Sequence, residues 1–141
     1  CIAGKCMSIS DQYEIYRIEK EALGDSGDHD VGAFVRRGGR IFIFGDPARA
    51  TLWLELYRGT SLYLASLGVG RRWKRKRIGT KLVWFAQALA TAEGYKKLFL
   101  HVRASNEPAR ALYDSTGFKY VGCRTGLYGD EDGDEYVWSC R

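Results

Sequence analysis

The amino-acid sequence predicts an α/β (α+β) fold in which a mixed central β-sheet is flanked by helices. The chain has 141 residues, 45% of them hydrophobic, which suits a packed domain and argues against disorder. Its middle part alternates strand, helix and strand, and a crossover helix of this kind joins parallel strands. We therefore expect a single domain over residues 1–141, with residues 1–10 either disordered or added to the natural chain.

The first half of the chain predicts one helix and then several antiparallel strands. Residues 12–23 place apolar side chains at helical spacing and are followed by a glycine. Gly38 and Gly39 separate two apolar runs, AFVRR and RIFIF, and a Gly-Gly pair accepts the positive φ angles of a tight hairpin. The runs TLWLELY (51–57) and SLYLASLGV (61–69) predict two more strands, and the second is apolar enough for a central position.

The second half predicts two helices between further strands. Residues 79–93 carry an apolar stripe and precede a glycine that can end a helix. After the apolar strand KKLFLHV (96–102), Asn106 can cap a second helix whose first turn contains Pro108. The runs FKYVGCRT and EYVWSC predict the last two strands. The acidic run Asp130 to Glu135 is interpreted as a solvated turn rather than as a border of a cationic ligand site.

Composition argues against several classes of function. Four cysteines without a C-x-x-C pair, and only two histidines, argue against a zinc site and a disulfide scaffold, so we expect reduced thiols and no metal. No apolar run is long enough to span a bilayer and no basic-then-apolar leader opens the sequence, so we expect a cytoplasmic protein without a membrane partner. The net charge of +5 allows an anionic partner without naming one.

The most basic stretch of the chain is RRWKRKRIGTKL, residues 71–82, in which six of the first seven residues are Arg or Lys. Such a run can be a nuclear-localisation signal, a nucleic-acid patch or merely a solvated turn. Here it lies between a strand that ends at Val69 and a helix that begins near Gly79. Because a helix N-terminus presents unpaired N–H groups and a positive dipole end, this placement favours a phosphate-binding loop.

A motif further along identifies the phosphate ligand by resemblance. The run NEPARALYDSTGF (106–118) fits the pattern N-x-x-A-x-x-L-Y-x-x-x-G-F in full, and it resembles the GCN5-related N-acetyltransferases. The run KRKRIG (74–79) is similar to that family's Q/R-x-x-G-x-G/A loop, with Lys74 at the Gln/Arg position and Arg77 at the first glycine. The runs LHVRASN, SLYLASLGV and GLYGDEDGDEYVWS resemble the branch that acetylates protein N-termini, including the ribosomal-protein alanine acetyltransferases.

The resemblance implies an acetyl-CoA-dependent N-acetyltransferase whose acceptor is the α-amino group of a protein or peptide N-terminus. Two alternatives remain open at this point. The same fold can act on a small-molecule amine or on lysine side chains. A degenerate relative can bind nucleic acid through its basic stretch without catalysis, although the placement of that stretch does not favour nucleic acid as the partner.

The resemblance also implies roles for individual residues. Tyr113 is the general acid, His101 is the base or holds a base water, Tyr63 is a catalytic tyrosine, and Glu55 is an alternative base. Tyr128 lines the acceptor entrance. The expected CoA-binding residues are Leu67, Gly68, Val69, Lys74, Arg75, Lys76, Arg77, Ile78, Gly79, Thr80, Asn106 and Tyr113. A positive φ at Arg77 would cost on the order of 1 kcal/mol for a residue other than glycine and would weaken CoA binding.

Overall fold

The structure, a computed structural model, describes residues 14–18, 20, 31–45, 48–57, 59–70 and 77–140. Residues 14–18 and 20 are helical and are called α1. The following elements are α2 (Val31–Arg36), β1 (Arg40–Phe44), β2 (Ala50–Tyr57), β3 (Ser61–Val69), α3 (Ile78–Ala92), β4 (Lys97–Arg103), α4 (Glu107–Ser115), β5 (Lys119–Arg124) and β6 (Gly133–Ser139). The expectation for residues 1–10 lies outside the described residues.

The six strands form one mixed sheet in the order β1-β2-β3-β4-β6-β5. The β1–β2, β4–β6 and β5–β6 pairs are antiparallel, whereas β3 and β4 are parallel. The strand–helix–strand segment from β3 through α3 to β4 is therefore the parallel crossover that the sequence predicts. The fold class, a mixed sheet with helices, is confirmed.

One expectation for the first half is wrong. The run around Phe34 is not a strand of a hairpin but helix α2, and the two glycines end that helix. Gly38 has a φ of 93°, and the N–H groups of Gly38 and Gly39 donate to the carbonyls of Val35 and Phe34, each at 3.0 Å. A side chain on Gly39 would meet the Phe34 ring. The Gly-Gly pair was correctly recognised as a turn, but it closes a helix C-terminus instead of joining two strands.

The chain divides into two compact units. One comprises Cys1–Glu55 and Ala65–Leu82, and the other comprises Leu56–Leu64 and Val83–Arg141. The core of the first unit contains Ile15, Phe34, Ile41 and Trp53, against which Val31, Val35 and Ile43 pack. The second unit buries apolar side chains of its strands and helices, among them Leu62, Leu64, Val83, Ala86, Leu98, Leu100, Val102, Tyr113, Phe118 and Tyr136.

Two local features of the strands and helices bear on function. The β3–β4 pairing runs from Ser61↔Lys97 to Leu64↔Leu100, and β3 continues beyond it to Val69. Asn106 caps α4 as predicted, since its side chain accepts a hydrogen bond from the N–H of Ala109 at 3.2 Å. Across the described ranges, no helix is both long and apolar enough to cross a membrane.

Candidate active site

One face of the sheet in the second unit carries polar and aromatic side chains instead of core residues. Successive side chains of a strand point to opposite faces, so the buried Leu98, Leu100 and Val102 of β4 alternate with Phe99 and His101. Phe99 pairs with Tyr63 in the parallel register, and His101 pairs with Glu135 in the antiparallel register. The strand registers therefore bring Tyr63, His101 and Glu135 onto the same face.

Tyr63, His101 and Glu135 form a continuous hydrogen-bonded chain. Tyr63 Oη lies 2.6 Å from His101 Nδ1, and His101 Nε2 lies 2.9 Å from Glu135 Oε1. The His101 side chain is 13% exposed and that of Glu135 only 5%. Because a tyrosine that gives up its proton needs an acceptor, and a histidine that takes it gains a positive charge, this order suits proton removal from a substrate.

Arg124 on β5 completes this chain. The β5–β6 register shifts between Tyr120 and Gly122. Because of this shift, Gly122 pairs with Glu135, and the Arg124 side chain lies on the same face of the sheet as that of Glu135. Arg124 Nη2 donates to both carboxylate oxygens of Glu135, at 3.1 and 3.0 Å. Burial alone would raise the pKa of Glu135, but the hydrogen bonds from Arg124 and His101 hold that pKa below its ordinary value of 4.5. Glu135 is therefore ionised at neutral pH.

Aromatic rings hold Tyr63 in place. The Tyr57 ring lies 5.2 Å from the Tyr63 ring and 5.3 Å from the Phe99 ring, both in tilted arrangements. The Tyr63 and His101 rings are themselves 5.4 Å apart. Such contacts at 4.5 to 7 Å are favourable and restrict ring rotation. Tyr63 is partly exposed at this face, so it is not simply a core aromatic residue.

Tyr113 lies on helix α4 and not on the strands that carry Tyr63 and His101. It is buried on α4, where its ring contacts Phe118 at 5.6 Å and Tyr136 at 6.3 Å. Tyr136 follows Glu135 in β6 and so points to the opposite face of the strand. Burial raises the pKa of the Tyr113 phenol far above its ordinary value of 10, and the neighbouring Tyr128 raises it further. Tyr113 keeps its proton at neutral pH, as a general acid must.

The loop that carries Tyr128 is tied to the end of β4. The Arg103 guanidinium lies 4.5 Å from the centre of the Tyr128 ring and donates to Asp130 at 2.8 Å and Glu131 at 3.2 Å. The N–H and hydroxyl of Ser105 also donate to Glu131. Tyr128 is therefore held in a loop that has many fixed contacts.

The interpretation of the acidic run as a solvated turn is wrong for two of its five acidic residues. Glu135 and its neighbour Asp134 are buried within β6, and Arg110 Nε lies 3.4 Å from Asp134 Oδ2. Asp132 accepts a hydrogen bond from the N–H of Gly126 at 2.7 Å. The physical reason is that each carboxylate has a basic or N–H partner on a neighbouring element, which composition alone does not reveal.

The structure describes only some of the expected CoA-binding residues of the first unit. Arg77 precedes α3 with a φ of 59°, and its carbonyl accepts the N–H of Lys81 at 3.1 Å. Ile78, Gly79 and Thr80 form the first turn of α3. The chain thus keeps a left-handed backbone at the position where the family pattern has glycine, although an arginine costs about 1 to 2 kcal/mol there. Lys74, Arg75 and Lys76 lie outside the described residues.

The remaining expected site residues lie at the end of β3, at the N-terminus of α4 and in an ion pair on β2. Leu67, Gly68 and Val69 end β3, past its last pair with β4, and Gly68 is buried. The Asn106 side-chain oxygen caps α4. Glu55 accepts a hydrogen bond from Arg37 at 3.0 Å within the first unit. The Glu55 carboxylate, which is the alternative base expected from the sequence, is therefore paired with Arg37.

Sequence reasoning missed two residues of this site, Glu135 and Arg124. A signal for Glu135 was present, because period-two alternation through the last strand sets it on the face opposite Tyr136. Its position inside an acidic run concealed that signal. Arg124 could not have been found, because the register shift in β5 decides which face it takes.

Comparison with known proteins identifies the family. The family model described as the acetyltransferase (GNAT) family matches residues 10–118, which is most of the chain. The chain belongs to the acetyltransferase (GNAT) family. The resemblance seen in the motif NEPARALYDSTGF is thereby confirmed.

Individual relatives of this GNAT chain include proteins of different lengths. It is 33% identical over 76 residues to an N-alpha-acetyltransferase of Saccharolobus solfataricus, a match covering 53% of this chain and 45% of that protein. It is 35% identical over 75 residues to the chloroplastic GCN5-related N-acetyltransferase 6 of Arabidopsis thaliana, covering 53% of this chain and 25% of that protein. The GNAT chain therefore spans less than half of the curated relatives that it matches.

Solved structures share the fold over nearly the whole chain. A Bacillus subtilis acetyltransferase in complex with CoA superposes with a TM-score of 0.83 at 17% identity, covering 99% of this chain and 97% of that one. The ribosomal-protein-S18-alanine N-acetyltransferase of Escherichia coli gives a TM-score of 0.76 at 22% identity, covering 96% and 90%. At these identities the likeness shows a common GNAT fold.

Proposed function

We propose that the chain transfers an acetyl group from acetyl-CoA to the α-amino group of a protein or peptide N-terminus. The observation that carries the proposal is the chain of Tyr63, His101 and Glu135, which can accept a proton from an amine. Family membership supports acetyl transfer, and the relative named N-alpha-acetyltransferase supports the α-amine as acceptor. The cytoplasm, where new protein N-termini emerge, is the expected location.

The reaction needs a neutral amine. As the amine nitrogen bonds to the thioester carbonyl carbon, its proton passes to Tyr63 Oη, and Tyr63 passes its own proton to His101 Nδ1. His101 then carries the positive charge beside the ionised Glu135 and later releases the proton to water. Positioned bases of this kind contribute about 10² to 10⁴ to a rate.

Departure of the thiolate needs a proton in turn. When the C–S bond breaks, the Tyr113 hydroxyl donates its proton to the sulfur and is reprotonated from solvent. A tyrosine phenol is protonated at neutral pH even at its ordinary pKa of 10, and burial raises the pKa of Tyr113 further, so the donor form is filled. The amide product and the CoA thiol leave, so the atoms and charges balance.

Acetyl-CoA is a substrate, and the residues proposed to bind it are Leu67, Gly68, Val69, Lys74, Arg75, Lys76, Arg77, Ile78, Gly79, Thr80 and Asn106. Two observations support this set. The backbone of β3 at Leu67 to Val69 lies beyond its pairing with β4. Ile78, Gly79 and Thr80 form the first turn of α3, where unpaired N–H groups attract phosphate. The φ of 59° at Arg77 meets the condition under which the sequence predicts weakened CoA binding. Tyr128, held by Arg103, is proposed to contact the acceptor.

The proposal is tested by following free thiol while the protein is incubated with acetyl-CoA and three groups of acceptors. These are peptides with a free N-terminus and dimethylated lysines, N-terminally blocked peptides with free lysines, and polyamines. Turnover with the first group is expected. Turnover with polyamines or lysines alone would contradict the α-amine assignment. If acetyl-CoA neither turns over nor raises the melting temperature, while RNA binds with a steep salt dependence, the non-catalytic alternative is correct.

A further inference from the structure

We infer that Glu135 and Arg124 are positioning residues, which fix His101 in the one neutral tautomer that can take the Tyr63 proton. The inference rests on the proposed function, because it assigns a role within that proton transfer. Arg124 lies outside the runs that carry the family resemblance, and Glu135 lies in the run GLYGDEDGDEYVWS, where the resemblance gives it no role. Four side chains, one each from β3, β4, β5 and β6, form this arrangement.

The carboxylate determines which nitrogen of His101 carries the proton. An ionised carboxylate only accepts hydrogen bonds, so His101 Nε2 must donate its hydrogen to Glu135 Oε1 across their 2.9 Å separation. A neutral imidazole has one N–H, so Nδ1 retains its lone pair. Tyr63 Oη, 2.6 Å from Nδ1, is then the donor. The charge of Glu135 therefore determines which group donates and which accepts in both hydrogen bonds between Tyr63, His101 and Glu135.

Arg124 determines that Glu135 is charged. A side chain that is only 5% exposed would favour the protonated carboxyl form if it stood alone. The guanidinium of Arg124 donates to both of its oxygens and is itself 51% exposed, so the cation stays partly hydrated while it neutralises the buried anion. Arg124 contacts neither Tyr63 nor His101 in these hydrogen bonds and acts through Glu135.

Glu135→Leu tests the arrangement because it removes the carboxylate that accepts the Nε2 hydrogen. A hydrogen on Nδ1 can still be donated to Tyr63 Oη, so a neutral imidazole in the variant favours the Nδ1–H form. That hydrogen blocks proton transfer from Tyr63. We expect kcat to fall by about 10- to 100-fold, with the KM for acetyl-CoA nearly unchanged.

The tautomer can be measured directly. The chain has two histidines, so His29→Ala leaves His101 as the sole source of imidazole signals in ¹⁵N NMR. We expect the protonated nitrogen to be Nε2 in the His29→Ala protein and Nδ1 once Glu135→Leu is added. This measurement does not depend on acetyl transfer, so it tests the inference even if the proposed function fails.

The conservative variant Glu135→Gln should keep what Glu135→Leu removes. Glu135 Oε1 accepts from both Arg124 and His101, so an amide oxygen at that position can accept both hydrogens, and the Nε2–H tautomer and part of the kcat should be retained. A purely structural role predicts the same tautomer in both variants. Asp134→Asn is the matched control, because that carboxylate is adjacent in β6 but faces Arg110 on the other side, and it should keep the His101 tautomer.

The outcomes separate the two claims. If no amine is acetylated by the unmodified protein, the proposed function is wrong, and the ¹⁵N spectra alone decide the positioning role. If acetylation occurs but Glu135→Leu leaves both kcat and the tautomer unchanged, the positioning role is wrong. Should Glu135→Leu fail to fold, an Nδ1–H signal in the His29→Ala protein would still overturn the inference, and an Nε2–H signal would support it.

Discussion

Tyr63 Oη lies 2.6 Å from His101 Nδ1, although the two residues are 38 positions apart in the sequence. The parallel pairing of Tyr63 with Phe99 fixes this distance, because it sets His101 diagonally across on the same face. Two titratable groups in direct contact, one of them backed by a buried carboxylate, are a typical arrangement for moving a proton.

Tyr63→Phe should lower kcat by about 100-fold, because the ring packing is kept and only the hydroxyl that relays the proton is lost. Steady-state release of CoA thiol with a saturating N-terminal peptide measures the effect. Tyr57→Phe is the control, since its ring contacts that of Tyr63 but its hydroxyl has no proposed part in the transfer. Equal rates for Tyr63→Phe and the unmodified protein would remove Tyr63 from the mechanism.

Tyr113→Phe should lower kcat with little change in the affinity for acetyl-CoA, because the substitution removes a proton donor but leaves an aromatic ring beside Phe118. Isothermal titration with acetyl-CoA and steady-state kinetics separate the two quantities. Tyr120→Phe, which alters an exposed tyrosine packed on Tyr136, serves as the control. An unchanged kcat for Tyr113→Phe would show that the thiolate takes its proton elsewhere.

Arg77→Gly should raise the free energy of unfolding by up to about 1 kcal/mol, because glycine adopts a φ of 59° without strain but gives the unfolded chain more freedom. Arg77→Ala removes the same charge and keeps the strained backbone, so it should leave the free energy of unfolding nearly unchanged. Urea denaturation of the three proteins provides the comparison. A glycine variant less stable than the alanine variant would contradict a left-handed backbone at this position.

Glu135 should contribute to the loss of stability in acid. Its pKa in the folded protein lies below the ordinary value of 4.5, so the native state binds its proton less readily than the unfolded state does. The stabilisation is therefore complete above about pH 4.5 and is lost as the pH falls through the folded-state pKa. Glu135→Gln should be less stable at pH 7 but should lose less stability between pH 7 and pH 3, as measured by urea denaturation. A parallel loss in both proteins would exclude this linkage.

Much of the fold could be predicted from the sequence because local signals agreed with tertiary packing. Asn106 and Pro108 marked the start of α4, and the apolar run around Leu64 marked a central strand. The prediction failed at Phe34, where a short β-prone run forms a helix. Packing of Phe34 against Trp53, at 4.8 Å between ring centres, outweighs the strand preference of that run.

Only those site residues that lie in a family motif or near the end of a predicted strand could be predicted. Tyr63 and His101 were both expected, yet their contact depends on strand register, which no local signal gives. Glu135 and Arg124 were missed because a charged residue near a turn is ordinarily solvated, and only the alternation of β6 and the register shift in β5 bury this pair together.

The most direct test of acetyl transfer to α-amines uses one peptide that carries both a free N-terminus and one free lysine. After incubation with the protein and acetyl-CoA, tandem mass spectrometry locates the acetyl group. We predict acetylation at the α-amino nitrogen, and loss of that product with Tyr63→Phe. Acetylation confined to the lysine side chain, or product formation that Tyr63→Phe leaves undiminished, would contradict the account.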